Sequence, residues 1–131
     1  MNKASEDYIK NIYILKQEKA RLHSIDIAKE YGLSRASVSR AMSNLRKDNI
    51  IIMKEDGEIE FTVKGQKIAE VIVDKYVTLS GFLQDVAGVD EETAKEDAHR
   101  IQHYISDDTY AGIKQFIIQH PEISEKKVCG K

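Results

Sequence analysis

"SIDIAKEYGLSRASVSRAMSNLRKDN", residues 24–49, decides how the rest of the chain is read. Gly32 separates two segments that each repeat apolar side chains at spacings of three and four. In the first, Ser24 opens a short helix that Gly32 closes in a tight turn, because glycine adopts left-handed backbone without steric cost. In the second, Ser34 is the N-cap, and Val38, Met42 (with Ala41) and Leu45 form the buried face. Helix, glycine turn, helix is the helix-turn-helix pattern. Just downstream, "IIIMKEDGEIEFTV" (50–63) holds two extended runs around Asp56-Gly57, a dipeptide favoured in hairpin turns. A hairpin in that place is a wing. Upstream, "SEDYIKNIYILKQEK" (5–19) predicts a helix with Ser5 as N-cap and an apolar face of Ile9, Ile12 and Tyr13.

The charge pattern agrees with a DNA-facing front half. The formal net charge is -2. Residues 1–75 hold 14 Lys/Arg against 12 Asp/Glu, and residues 76–131 hold 6 against 10. Between 34 and 54, Arg35, Arg40, Arg46, Lys47 and Lys54 face only Asp48, a basic stripe of the kind that attracts phosphates. A recognition helix offers its N-terminal residues to base edges while flanking cations and hydroxyls contact phosphate. Here those residues are Ser34, Arg35, Ala36, Ser37, Ser39 and Arg40. Arg40 is the strongest candidate for base reading, since a guanidinium pairs with guanine O6 and N7 through two parallel bonds. Lys64 and Lys67, past the wing, are further phosphate candidates.

Behind the wing, Thr62 can cap a long helix, "KGQKIAEVIVDKYVTLSGFLQDVAG", with apolar residues at Ile68, Val71, Ile72, Leu79, Phe82, Leu83 and Val86. That is more apolar surface than one chain needs to cover a wing, and it predicts a symmetric homodimer. Asp90 caps "EETAKEDAHRIQHYI", whose expected core stripe is Ala94, Ala98, Ile101 and Ile105, and Ser106 starts "DDTYAGIKQFIIQH", which stops before Pro121. The expected fold is mainly α: a winged-helix DNA-binding domain over 1–64, a helical metal-binding and dimerization domain over 65–121, and a flexible tail over 122–131. Hydrophobic residues at 41% and charged residues at 32% suit a globular chain. No run approaches the roughly 20 apolar residues of a membrane span, and no apolar signal core opens the sequence. The cytoplasm is expected, with no membrane partner. The lone Cys129 cannot form an internal disulfide.

"HRIQH" (99–103) has two histidines four residues apart, the spacing of a zinc-protease helix. On a helix, His99 and His103 share one face, with Gln102 on the same side, so they can grip one metal ion. Arg100, however, stands where such a protease needs its glutamate base, and a guanidinium cannot take a proton. Proteolysis is therefore not expected. Nor does the sequence offer the base and nucleophile that any other enzyme would need.

Taken in order, "SEDYIKNIYIL", "DIAKEYGLSRASVSRAMSNL", "FTVKGQKIAE" and "FLQDVAGVDEETAKEDAHRIQHYIS" resemble the diphtheria-toxin-repressor and manganese-transport-regulator family over residues 5 to about 106. The resemblance implies a dimeric, metal-dependent repressor that binds a palindromic double-stranded DNA operator. It places Ser34, Ala36 and Arg40 at base-facing positions and Ser37, Asn44 and Lys47 at backbone-facing ones. It also implies metal ligands at Asp7, His99, Gln102 and His103. Lys10 falls where the manganese branch carries a second carboxylate and Tyr76 where a histidine is usual, and an ammonium repels a dication. One divalent transition metal per subunit is therefore expected rather than a pair. Two imidazoles and one carboxylate favour zinc or ferrous iron over manganese. The alternative is a metal-independent winged-helix regulator with a degenerate site.

Overall fold

A computed structural model describes residues 2–123 of the chain, which divides into two units, one ending at Val73 and the other starting at Asp74. In the first, α1 (Lys3–Glu18), α2 (Ser24–Tyr31) and α3 (Arg35–Lys47) precede a hairpin of β1 (Ile51–Met53) and β2 (Ile59–Phe61). The long α4 (Val63–Asp85) begins directly behind the hairpin. Gly32 ends α2 at φ 61°, and Ser34 Oγ accepts from the Ser37 N–H at 3.1 Å, so both signals of the helix-turn-helix act as expected. Two starts differ. Asn2 Oδ1 accepts from the Ser5 N–H at 2.8 Å, so α1 is capped by Asn2 and Ser5 lies inside its first turn. Asparagine caps as well as serine, and the earlier start adds helical hydrogen bonds. The cap of α2 is His23 rather than Ser24: its backbone N–H donates to the Asp26 carboxylate at 2.8 Å.

The apolar faces of these helices meet. Ile9, Ile12, Leu22, Ile27, Val38, Met42 and Leu45 pack with Ile50, Ile51 and Ile59 of the hairpin region. The strands are antiparallel, pairing Ile51 with Phe61, Ile52 with Glu60 and Met53 with Ile59, which turns Ile51 and Ile59 inward and leaves Ile52 exposed. The Ile59 N–H donates to the Leu22 carbonyl at 2.8 Å and fastens the wing to the α1–α2 connection. Thr62 caps α4 as expected, accepting from the Gly65 N–H at 2.9 Å and donating to the Asn49 carbonyl at 2.7 Å. A Cβ at Gly65 would lie 1.9 Å from the Ile50 carbonyl oxygen, so only glycine lets this first turn sit down. Ile68, Ala69 and Ile72 also pack on the core, which carries the first unit past residue 64 into α4.

The second unit holds the rest of α4, α5 (Glu91–Ile101) and α6 (Asp107–Gln119). Asp90 and Ser106 cap the last two, accepting from Thr93 at 2.8 Å and Thr109 at 3.1 Å. Leu79, Ala94 and Ala98 are buried, and Phe82 meets Phe116 edge to face at 6.2 Å. The Asp74 carboxylate accepts from the Tyr110 hydroxyl and from Lys114 Nζ, the latter at 2.8 Å. The end of α5 departs from expectation. The helix stops at Ile101, Ile101 is exposed, and Gln102 is buried in its place. Burial follows the steps of four, Ala94, Ala98, Gln102, and then the backbone tightens to three-residue bonds, Tyr104 N–H to the Ile101 carbonyl at 2.9 Å. Among the described residues no helix is long and apolar enough to cross a membrane. The expected tail lies, from residue 124 on and with Cys129, outside the described residues.

Candidate DNA interface and metal centre

The outer face of α3 presents Arg35, Ala36, Ser39, Arg40, Asn44 and Lys47 to solvent, with Ser34 just before it. Ser37 is half-buried between them. Val38, Met42 and Leu45 occupy the opposite face, so burial of three residues fixes the exposure of the rest. Three of the polar residues are linked: the Ser34 hydroxyl donates to Ser37 Oγ at 2.9 Å, and Arg40 Nη2 donates to the same oxygen at 3.5 Å. This chain restrains the Arg40 guanidinium while leaving it exposed, a suitable state for reading a base edge. A cleft of about 370 Å³, lined by Ser24, Ile25, Arg35, Val38 and Ser39, runs alongside.

The basic stripe is narrower than the sequence suggests. Lys54 stands 3.8 Å from Glu58 and 3.7 Å from Glu60, so its charge is spent on the wing. Lys64 donates to the Asp48 carbonyl at 3.0 Å, near the C-terminus of α3, where a cation is favoured. The sequence reading also gave no role to Arg21, which binds Asp56 and Glu58. The available signal was the wing's run of Glu55, Asp56, Glu58 and Glu60, carboxylates that must find cations.

In the second unit, His99 and His103 are half-buried, and a ring nitrogen of each lies within 4.8 Å of the other. Their rings stand edge to face at 5.7 Å. The two imidazoles therefore converge, although His103 lies beyond the end of the α-helix. Gln102, between them in sequence, is 5% exposed, and neither polar atom of its amide has a hydrogen-bond partner among the described residues. An unsatisfied buried amide costs about 1–3 kcal/mol, which coordination of its oxygen would relieve in part. Two converging imidazole nitrogens suit a divalent transition ion, and an amide oxygen is a donor type that such an ion accepts. Arg100 points into carboxylates, 3.9 Å from Glu96 and 3.6 Å from Asp97, and supplies no base.

In the first unit, Asp7 lies on α1 and is half-buried. One turn on, Lys10 is buried, and burial lowers its pKa while the Asp7 charge raises it. A resident ammonium on this face opposes a pair of metal ions beside Asp7.

Known proteins share both halves. Residues 1–59 match the family described as the iron dependent repressor N-terminal DNA binding domain, and residues 62–127 match the iron dependent repressor metal binding and dimerisation domain. The HTH-type transcriptional regulator MntR of Bacillus pumilus is 32% identical over 123 residues, covering 94% of this chain and 85% of that protein. MntR of Bacillus subtilis is 36% identical over 101 residues, covering 77% and 70%. Among solved structures, T. acidophilum IdeR superposes with a TM-score of 0.75 at 25% identity, covering 88% of this chain and 53% of that one. ScaR with bound Zn2+ superposes with a TM-score of 0.72 at 26% identity, covering 89% and 54%. The chain thus spans about half the length of these solved regulators. With a DNA-binding helix-turn-helix, a wing, and a second half matched as metal-binding and dimerising, the chain belongs to the iron-dependent repressor family of metal-dependent, DNA-binding transcriptional repressors.

Proposed function

We propose that one divalent transition ion per subunit switches this repressor, held by Asp7, His99, Gln102 and His103, with zinc or ferrous iron preferred to manganese. The observation that carries the reading is the convergence of two half-buried imidazoles, His99 and His103, with a buried amide between them in sequence, Gln102, that has no partner among the described residues. Two nitrogens, one carboxylate and one amide oxygen form a set that zinc accepts as a tetrahedron, whereas manganese favours more oxygen and more negative charge. The resident Lys10 ammonium argues for a single ion. When bound, the ion supplies electrostatic attraction to these lone pairs. The donors do the rest: Asp7 belongs to the DNA-reading half and the other three to the dimerisation half, so joint ligation ties the halves together. In a homodimer that tie sets the separation of the two α3 helices, which must match half-sites of a palindromic operator about 34–36 Å apart. Metal shifts the population only through its different affinity for the two arrangements. Arg40, with Ser34 and Ala36, reads bases, and Arg35, Ser37, Ser39, Asn44 and Lys47 hold phosphates. Such a regulator works where its operator is, in the cytoplasm.

The test is a DNA-binding titration with zinc, ferrous iron under anaerobic conditions, and manganese, on a duplex selected from random sequence. Zinc or iron should tighten binding most, and His99→Ala should abolish the response while leaving metal-free affinity nearly unchanged. Equal binding by chelated and loaded protein would make this a metal-independent regulator, and a strongest response to manganese would overturn the metal preference.

A further inference from the structure

The wing is an unusual object to bring near DNA. Residues 54–60 read "KEDGEIE", with Glu55, Asp56, Glu58 and Glu60 against Lys54. Uncompensated, these carboxylates would repel a phosphate backbone at low salt. The fold answers with side chains from outside the hairpin, chiefly the cations Arg21 and Lys16. Arg21, in the connection between α1 and α2, donates from Nη2 to Asp56 and from Nε to Glu58 at 3.3 Å. His23 Nε2 lies 3.7 Å from Asp56, and Lys16 of α1 lies 4.0 Å from Glu60 while donating to the Ile59 carbonyl at 3.1 Å. Asp56 in turn accepts the Glu58 N–H at 3.0 Å, so Arg21 grips a turn that is already closed. Glu58 is buried, and a buried carboxylate needs its counter-ion more than an exposed one does.

We propose that Arg21 is a positioning residue for DNA binding: its guanidinium clasps the wing tip through Asp56 and Glu58 and cancels their charge, without itself touching DNA. The proposal rests on the DNA-binding reading and not on the metal site. The exposed half of the clasp, Arg21 with Asp56, contributes little to folding stability. The effect on a polyanion is larger, because unmasked wing acids act on every approach of the duplex, by long-range repulsion that salt screens.

The experiment uses the full, metal-loaded chain and a duplex selected by the wild-type protein from random sequence. Arg21→Ala should weaken binding roughly tenfold at low salt and less at high salt. The triple variant Arg21→Ala, Asp56→Asn, Glu58→Gln should recover to within about twofold of wild type, because neutral side chains need no clasp. Asp56→Asn with Glu58→Gln, keeping Arg21, should bind as tightly as wild type or tighter, which decides the matter should Arg21→Ala fail to fold. Wild-type affinity in Arg21→Ala overturns the proposal. A triple variant as weak as Arg21→Ala overturns it too, since Arg21 would then be a direct phosphate contact, and so does weakened binding by the double variant. If the wild-type chain selects no duplex at all, the DNA-binding reading fails instead.

Discussion

In the first unit Ile9, Ile12, Leu22, Ile27, Val38, Met42, Leu45, Ile51 and Ile59 are fully buried, whereas from Asp74 on, Leu79 is the large side chain buried to that degree among the described residues. The second unit exposes Val77 at 59%, Tyr104 at 73% and Ile118 at 67%, and the first exposes Val63 at 78% and Val71 at 65%, both on α4. One half therefore closes its core from its own sequence and shows solvent a polar reading face. The other is written for company: its apolar surface suits a second copy and its imidazoles suit an ion. The part matched as DNA-binding carries the larger set of buried side chains, and the part matched as metal-binding and dimerising carries the smaller one.

The comparison breaks most readily at Ile27. Replacing it with alanine should cost about 2–5 kcal/mol of stability by leaving a cavity among α1, α2 and α3. If the first unit is self-sufficient, that loss is the same at low and high protein concentration, while hydrogen-exchange protection around Phe82 and Phe116 rises with concentration. Concentration dependence in the first unit would erase the contrast. A smaller effect sharpens it on the reading face: Arg40→Ala should lose about 1–3 kcal/mol of specific binding and relax the preference at one base position. Lys47→Ala should instead weaken all sequences about equally, as competition binding against scrambled duplexes would reveal.

The smallest expected effect is acid sensitivity. In the first unit the His23 backbone N–H, then Lys19, holds Asp26 below the usual carboxylate range, and the Glu58 N–H, then Arg21 and His23, does the same for Asp56. In the second unit Lys114 and the Tyr110 hydroxyl hold Asp74 low. A pKa depressed on folding stabilises above the unfolded value near 3.9 and is lost as pH falls through the folded one. Both units should therefore weaken only below about pH 4, and Asp74→Asn should flatten the response of the second unit alone in melting curves followed unit by unit.

The helix-turn-helix, the wing and the caps at Ser34, Thr62, Asp90 and Ser106 were legible because each rests on neighbours within a turn or two. The start of α1 was not, since Asn2 and Ser5 are equivalent caps by chemistry and only the packed helix chooses between them. The burial of Gln102 was hidden for a different reason: polarity argued for surface, and the clue lay in the two small residues before it, Ala94 and Ala98, whose step of four points to 102 and not to Ile101. His99 and His103 were found by spacing. Asp7 entered as a candidate only through the family resemblance, because no local pattern marks a single carboxylate on α1 as a ligand. The Arg21 clasp was invisible for the same reason, its partners being 35 and 37 residues away.

The glycine at the start of α4 has a genetic consequence. Val63, Lys64 and Lys67 around it are exposed, but at 65 even the smallest side chain collides with the backbone carbonyl of Ile50. In a library of every single substitution selected for repression, position 65 should accept no other residue, while exposed Val63 two residues before it accepts many. Such a gap in a surface segment resembles the mark of a binding residue, yet its origin here is the seating of a helix.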